Sequence, residues 1–120
     1  IIEQLLSAGK QVYLLYPIPE LPAHISKLAT PFSIFNKEPL VNLQETTSQQ
    51  YYLERNAYIL DKFDSLPQHA NLIAIKPFDA LCSSNHCPAA IDGQALYFDD
   101  NHLSIIGAKR LLEMSSIIRQ

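Results

Sequence analysis

The sequence has few glycines, few cysteines and no long apolar run. Its 120 residues include 3 glycines and 2 cysteines, and 9 Lys and Arg against 12 Asp and Glu give a formal net charge of −3. A chain with this charge lacks the basic surface that a nucleic-acid groove needs, which argues against a nucleic-acid partner. No apolar run approaches the ~20 residues that a helix needs to cross a bilayer, so the sequence holds no candidate membrane span.

Internal repeats and low-complexity tracts are absent as well. With 48% hydrophobic residues, a chain of this length can bury one core, so we expect a single domain. Predicted strands alternate with predicted helices through connections too long for hairpins, which indicates an α/β fold with a parallel sheet. The pattern predicts strands at residues 11–16, 72–75 and 95–98, helices at 1–9, 24–29, 47–63 and 104–119, and mostly loop at 17–39.

An aspartate precedes a histidine by three residues near the C-terminus, at Asp99 and His102. A histidine takes a proton from a hydroxyl efficiently only if its ring is oriented and its cation is stabilised, and a neighbouring carboxylate can do both. The alternative is that Asp99 caps a helix and His102 ends a surface loop. Ser104 is itself a good N-cap, so the helix needs neither residue to begin. The apolar run at 96–98 predicts a short strand that places Asp99 at a sheet edge.

The block around this pair, LYFDDNHLSIIGAKRL, resembles the last motif of the SGNH hydrolases, a superfamily of GDSL-like esterases and acyltransferases. It is most similar to the SGNH domains fused behind the membrane acyltransferases that O-acetylate lipopolysaccharide O-antigen and related glycans. That motif reads Tyr-x-Asp-x-x-His-Leu-Ser-x-x-Gly-Ala, and the residues that match it here are Tyr97, Asp99, His102, Leu103, Ser104, Gly107 and Ala108.

Two further stretches carry the resemblance. The segment QVYLLYPIPE, residues 11–20, is similar to the central strand of the family running into a Pro-x-Pro loop. The segment CSSNHCP, residues 82–88, is similar to the cysteine-bracketed loop that precedes the last motif in the fused domains. The resemblance covers the chain from about Gly9 to the end, with a poorly matching middle from 21 to about 50.

The resemblance implies specific roles and a specific setting. His102 would be the general base and Asp99 its orienting acid, on a three-layer α/β/α flavodoxin-like fold without cofactor or metal. The substrate would be an acylated or acceptor glycan. The domain would lie in the periplasm as part of an inner-membrane protein, next to an upstream membrane acyltransferase domain.

The nucleophile that this family needs is missing from the sequence. Neither a Gly-Asp-Ser nor a Gly-x-Asn-Asp, which would supply the serine and part of the oxyanion hole, begins at Gly9, Gly93 or Gly107. The segment Phe63-Asp64-Ser65-Leu66 mimics the first motif, but it lacks the glycine and follows a helical pattern. Because a nucleophile sits on a tight turn from strand to helix, Ser65 is a poor candidate.

We therefore expect residues 1–120 to be the C-terminal portion of an SGNH domain whose nucleophile lies upstream. The sequence starts within an amphipathic helical pattern that has no N-cap, which fits this expectation. Such a chain alone would be inactive, and its uncovered sheet edge would favour a homodimer. Two rival hypotheses remain: a degenerate SGNH domain that binds a glycan or positions a partner, and an unrelated interaction domain with a fortuitous Asp-x-x-His.

Cys82 and Cys87 admit three interpretations. With His86 and His102 they offer the ligand types of a zinc site, although such sites more often show a two-residue cysteine spacing. Two free buried thiols are the second interpretation. We favour a disulfide, which would close a small loop, add about 2 kcal/mol of stability by the chain-entropy estimate and indicate an oxidising compartment.

Overall fold

A computed structural model describes residues 1–28 and 42–115. Its elements, in chain order, are α1 (Ile2–Ser7), β1 (Val12–Leu15), α2 (Ile25–Leu28), β2 (Thr47–Ser48), α3 (Gln49–Arg55), α4 (Ala57–Asp64), β3 (Leu72–Ile75), α5 (Pro77–Leu81), β4 (His86–Cys87), β5 (Ala90–Ile91), β6 (Gln94–Ala95) and α6 (Ile105–Met114). None of the helices within these two ranges is long and apolar enough to cross a membrane.

The centre of the fold is a parallel pair of strands, β1 and β3. Leu15 pairs with Ile75 in its register, and the N–H of Tyr16 donates to the carbonyl of Ile75 over 2.9 Å. A proline follows each strand, at Pro17 and Pro77, and ends the pairing because proline has no N–H to donate. Both strands lie within one residue of the predicted bounds, and their parallel pairing confirms the α/β prediction.

Helices lie against both faces of this pair. Ile75 packs against Ala80, Leu81 and Leu111, which belong to α5 and α6. Tyr16 points to the opposite face, since side chains alternate along a strand, and its ring contacts Phe63 of α4 with the centroids 5.2 Å apart. The arrangement is helix, sheet, helix, as expected for the predicted three layers.

The largest buried cluster lies beyond the sheet. It consists of Leu21, Ala89, Leu96 and Tyr97, each at most 3% exposed. A hairpin of β5 and β6 contributes to it and turns at Asp92 and Gly93, whose φ angles of 51° and 76° are those of a two-residue turn that favours Asp-Gly. This cluster therefore joins the segment after β1 to the chain that carries Asp99 and His102.

The prediction of one continuous helix over residues 47–63 is wrong. Residues 47–48 form β2, which pairs with β4, and the helical stretch is split into α3 and α4 at Asn56. Both the backbone N–H and the side-chain amide of Asn56 donate to the carbonyl of Tyr52, over 3.1 and 2.9 Å. The side chain of Asn56 thus competes with the helical hydrogen bonds. The backbone leaves the helical conformation there, with φ −110° and ψ 15°, and α4 begins at Ala57.

The predicted strand at 95–98 also differs from the structure. β6 ends at Ala95, Tyr97 makes an isolated antiparallel bridge with Leu103, and Phe98 is 74% exposed. The N–H of Phe98 donates to the carbonyl of His102 over 2.7 Å, which closes a tight loop where the pattern predicted an extended strand. Residue 29 of the predicted helix 24–29 and residues 116–119 of the predicted helix 104–119 lie outside the described residues.

The outer face of β1 is half exposed. Tyr13 and Leu15 are 43% and 49% accessible, although strands of parallel sheets are normally covered on both faces. Within the described ranges β1 pairs with β3 alone. Among the residues that the structure describes, no strand lies at the other edge of β1.

Candidate functional site

The Asp99 side chain organises its own loop. One carboxylate oxygen, Oδ1, accepts from the backbone N–H of Asn101 over 2.9 Å and from that of His102 over 2.7 Å. Aspartate folds short loops in this way because its side chain reaches the backbone two and three residues on. These two hydrogen bonds fix the carboxylate beside the histidine.

The second carboxylate oxygen meets the imidazole. His102 Nδ1 lies 2.7 Å from Asp99 Oδ2, and the two side chains are 74% and 23% exposed. An ionised carboxylate only accepts, so Nδ1 carries the proton and Nε2 is the ring nitrogen that remains basic. The structure thus brings together the two residues that the motif singled out, with the ring held from one side and open on the other.

The loop keeps this carboxylate ionised. The N–H of Asn101 contributes most to lowering the pKa of Asp99 to about 2, against the opposing effect of partial desolvation. The N–H and ring of His102 lower it further, because hydrogen bonds and positive charge favour the charged form. At neutral pH Asp99 is consequently an acceptor that can orient the ring and stabilise its cation.

The segment that follows β1 holds the loop from outside. The backbone N–H groups of Leu21 and Ile25 donate to the carbonyls of Asp100 and Asp99, over 2.7 and 3.2 Å. The hydroxyl of Tyr97 donates to the carbonyl of Pro19 over 2.5 Å. Three hydrogen bonds thus join Tyr97 and the Asp99–His102 loop to the segment that follows β1, and open α/β sheets place their sites in the loops after their strands.

A large cavity lies elsewhere. Its volume is about 660 Å³, and Tyr16, Asp64 and Lys76 are among its lining residues, but Asp99 and His102 are not. The Tyr16 hydroxyl donates to Asp64 over 2.8 Å, and burial together with this carboxylate raises the pKa of Tyr16 to about 12. The Asp99–His102 pair is not part of this cavity, and the His102 side chain is 74% exposed.

Cys82 and Cys87 are joined in a disulfide. Because Cys82 follows α5 and Cys87 lies in β4, the disulfide closes the loop between these two elements. Cys87 is 1% exposed, and its carbonyl accepts from the N–H of Thr46 over 2.9 Å. Two bonded sulfurs cannot also act as thiolate ligands, so the structure contradicts the alternative interpretation of a zinc site. The described ranges contain no cluster of three His, Cys, Asp or Glu arranged to hold a metal.

Two serines near candidate motifs have their hydroxyls engaged. Ser65 is the C-cap of α4, and its Oγ donates to the carbonyl of Asp61 over 2.6 Å. Ser104 Oγ donates to the carbonyl of Ala95 over 2.8 Å and accepts from the N–H of Gly107 over 3.0 Å, as the predicted N-cap of α6. Neither serine sits on the turn from strand to helix that a nucleophile requires.

Sequence reasoning missed the outer contacts of the loop. The motif contains Tyr97 but gives it no role, and Pro19 belongs to the Pro-x-Pro loop. Their hydrogen bond spans 78 positions, and no local pattern reports it. The sequence indicates that the two segments belong together only through their resemblance to one family.

A family model described as "SGNH domain (fused to AT3 domains)" matches residues 2–115. The match covers β1, β3 and the whole Asp99–His102 loop. No curated protein and no solved structure gives a significant match.

Proposed function

The chain belongs to the family of SGNH domains fused to AT3 domains, and we propose that its Asp99 and His102 are the acid and base of a serine-dependent acyl transfer. One observation carries the proposal. His102 Nδ1 is bonded to the ionised Asp99 at 2.7 Å while the ring is 74% exposed, so its basic nitrogen can meet a hydroxyl brought from outside.

The reaction has two balanced steps. A serine hydroxyl attacks the acyl carbonyl, His102 Nε2 takes the hydroxyl proton, and the departing alcohol receives that proton as the acyl–oxygen bond breaks. A glycan hydroxyl or water then attacks the acyl-serine, again giving its proton to His102, and the proton returns to the serine oxygen. Asp99 holds the ring and stabilises its cation in both steps.

The serine and the oxyanion donors would come from a preceding segment of the same domain. Neither Ser65 nor Ser104 is free to act, and no glycine of the sequence begins the motif that the family uses. The half-exposed Tyr13 and Leu15 and the edge of β1 opposite β3 are where we place that segment. A homodimer through the same edge is the alternative, and size-exclusion chromatography with light scattering distinguishes the two.

The acceptor and the setting follow from the same proposal. We place the domain in the periplasm, since a disulfide persists in oxidising compartments. The fused AT3 domain would supply the acyl group from the membrane, and the acceptor would be a hydroxyl of a cell-surface glycan. Acetyl is the acyl group that the resemblance favours.

The test compares residues 1–120 with a longer polypeptide that begins upstream. Each is assayed for hydrolysis of p-nitrophenyl acetate, as wild type and as His102→Ala. We expect turnover only from the longer polypeptide, and loss of that turnover in its His102→Ala variant by about 10³-fold or more. A matched control is His24→Ala, because His24 is exposed and its ring contacts Ser26 rather than the Asp99 loop.

The rival function is a non-catalytic glycan-binding module. A longer polypeptide that binds acylated glycan but turns over neither glycan nor p-nitrophenyl acetate would favour the rival and reject the acyl-transfer proposal. Turnover that survives in His102→Ala would also reject it, because the base would then be another residue.

A further inference from the structure

Tyr97 is buried among apolar residues, yet its hydroxyl has a defined partner. The side chain is 2% exposed and packs with Leu21, Ala89 and Leu96. Its hydroxyl donates to the carbonyl of Pro19 over 2.5 Å. A buried hydroxyl without such a partner would cost free energy, so this bond fixes where Tyr97 lies relative to Pro19.

Tyr97 lies at the start of the Asp99–His102 loop. Asp99 is two residues further along, and the bridge between Tyr97 and Leu103 closes the loop on its far side. Pro19 is fully buried and sits on the segment whose N–H groups reach the carbonyls of Asp99 and Asp100. The phenol therefore links the base of the loop to the same segment that holds its tip.

From this geometry we propose that Tyr97 is a positioning residue, whose hydrogen bond to Pro19 sets the location of the His102 ring relative to the sheet. The proposal rests on the proposed function, because location matters only if His102 must meet a nucleophile fixed elsewhere in the domain. A displacement of about 1 Å can lower a rate by about 10²-fold when two groups must meet in one geometry.

The chemistry of the phenol suits this role. Burial raises the pKa of Tyr97 far above its usual range, so the hydroxyl remains a neutral donor at every working pH. Phenylalanine would fill the same space but leave the carbonyl of Pro19 without this donor. The segment and the loop would then be held by two backbone hydrogen bonds, at 2.7 and 3.2 Å.

A second tyrosine provides a matched control. The Tyr52 hydroxyl donates to the carbonyl of Pro17 over 3.1 Å, and this side chain is 5% exposed. Tyr52→Phe thus removes the same kind of buried tyrosine-to-proline hydrogen bond, from α3 rather than from the Asp99–His102 loop. Any general cost of losing a buried hydroxyl appears in both variants.

The experiment has two arms. In residues 1–120, long-range ¹H–¹⁵N NMR follows the Nδ1–H signal of His102, because the nitrogen shift reports the tautomer that the hydrogen bond to Asp99 favours. In the longer polypeptide, kcat and KM for p-nitrophenyl acetate are measured. Wild type, Tyr97→Phe, Tyr52→Phe and a variant with 4-aminophenylalanine at position 97, which restores an N–H donor, are compared in both arms.

We expect Tyr97→Phe to broaden or lose the Nδ1–H signal and to lower kcat by about 10-fold to 100-fold at unchanged KM. Tyr52→Phe should keep both properties, and 4-aminophenylalanine should restore them. Equal behaviour of Tyr97→Phe and Tyr52→Phe would overturn the proposal. A Tyr97→Phe variant that fails to fold while Tyr52→Phe folds would also overturn it, since the hydrogen bond would then determine the whole fold.

The two arms separate this proposal from the proposed function. If the longer polypeptide is inactive in every form, the acyl-transfer function fails, while the NMR arm still decides whether Tyr97 positions His102. If wild type is active and the Nδ1–H signal is the same in all variants, the positioning role alone fails.

Discussion

A Cβ atom at position 107 would lie 2.0 Å from the carbonyl oxygen of Leu96, so only glycine lets α6 approach the chain before the Asp99–His102 loop. The same Leu96 carbonyl accepts from the N–H of Ser104 over 2.9 Å. Gly107 in turn donates its N–H to Ser104 Oγ. The start of α6 therefore packs directly against the Leu96 carbonyl, just before the Asp99–His102 loop. This close packing explains why the motif has a glycine at position 107.

We predict that Gly107→Ala destabilises the chain by about 3 kcal/mol, because the obstructing atoms are backbone and cannot rotate away. Urea denaturation followed by circular dichroism measures the change. Lys109→Ala, on the exposed side of α6, is the control and should stay within about 0.5 kcal/mol of wild type. A stability of Gly107→Ala equal to that of the control would contradict the close contact.

A second prediction concerns the charge of Asp99. Asparagine in its place can still accept from the N–H groups of Asn101 and His102, so the loop is kept while the carboxylate is lost. In the longer polypeptide we expect Asp99→Asn to lower kcat by about 10²-fold or more with little change in KM, since the ring loses its stabilised cation and its tautomer. Steady-state kinetics measures it, with Asp100→Asn as the charge-matched control. Equal rates for the two variants would argue against a catalytic carboxylate.

A third prediction is an acid-dependent stability that requires Asp99. The pKa of Asp99 is about 2 in the folded chain and ~3.9 in an unfolded one. A lowered folded pKa stabilises the fold above the unfolded pKa, and that contribution disappears as the pH falls from about 4 to about 2. Urea denaturation at several pH values should therefore show a shallower acid loss for Asp99→Asn than for wild type. Asp100→Asn should retain the wild-type slope, and parallel curves for all three proteins would refute the hydrogen-bonded carboxylate.

Local pattern was sufficient where local chemistry determines the structure. The apolar run of β3 ends at Pro77, and Ser104 caps α6, so sequence predicted both boundaries. The loop of the Asp99–His102 pair is similarly local, because one carboxylate accepts from residues two and three positions later. The Asp92–Gly93 pair is a further local signal, because Asp-Gly between two short strands is typical of a hairpin.

The remainder depends on contacts between distant segments. Tyr97 and Phe98 look alike in sequence, yet Tyr97 is 2% exposed and Phe98 is 74% exposed, because Tyr97 packs in the buried cluster of Leu21, Ala89 and Leu96. The hydrogen bond to Pro19 satisfies the buried Tyr97 hydroxyl. The break at Asn56 also escaped the helical period, since apolar spacing continues across it while the asparagine side chain bonds to Tyr52. The period of the apolar residues shows which side of a helix or strand is apolar. It cannot predict a hydrogen bond between residues 78 positions apart, such as the one between Tyr97 and Pro19.

The disulfide gives a fourth prediction. Intact-mass measurement after alkylation should show no modified cysteine without reductant and two with it. Replacing both residues, as Cys82→Ala with Cys87→Ala, should cost about 2 kcal/mol, because the unfolded chain regains the freedom of the closed loop. Ser83→Ala, within the same loop, controls for local changes of side chain. Two thiols alkylated without reductant would contradict the disulfide and remove its support for a periplasmic location.

The last prediction concerns Ser65, which follows an aspartate as a family nucleophile would. Its hydroxyl caps α4 by donating to the carbonyl of Asp61 over 2.6 Å, so it lies at the end of a helix rather than on the turn that exposes a nucleophile. Ser65→Ala in the longer polypeptide should therefore keep wild-type kcat, whereas replacing the serine that we propose to lie upstream should abolish turnover.

Mass spectrometry of the enzyme quenched during turnover locates the acyl group directly. We expect an acetyl adduct on a peptide upstream of residue 1 and none on the peptide that contains Ser65. An adduct on Ser65, together with His102-dependent turnover by residues 1–120 alone, would mean that this chain carries its own nucleophile. The Ser65 hydroxyl would then have to leave the carbonyl of Asp61 in the active enzyme, because its proton must go to His102 when its oxygen attacks.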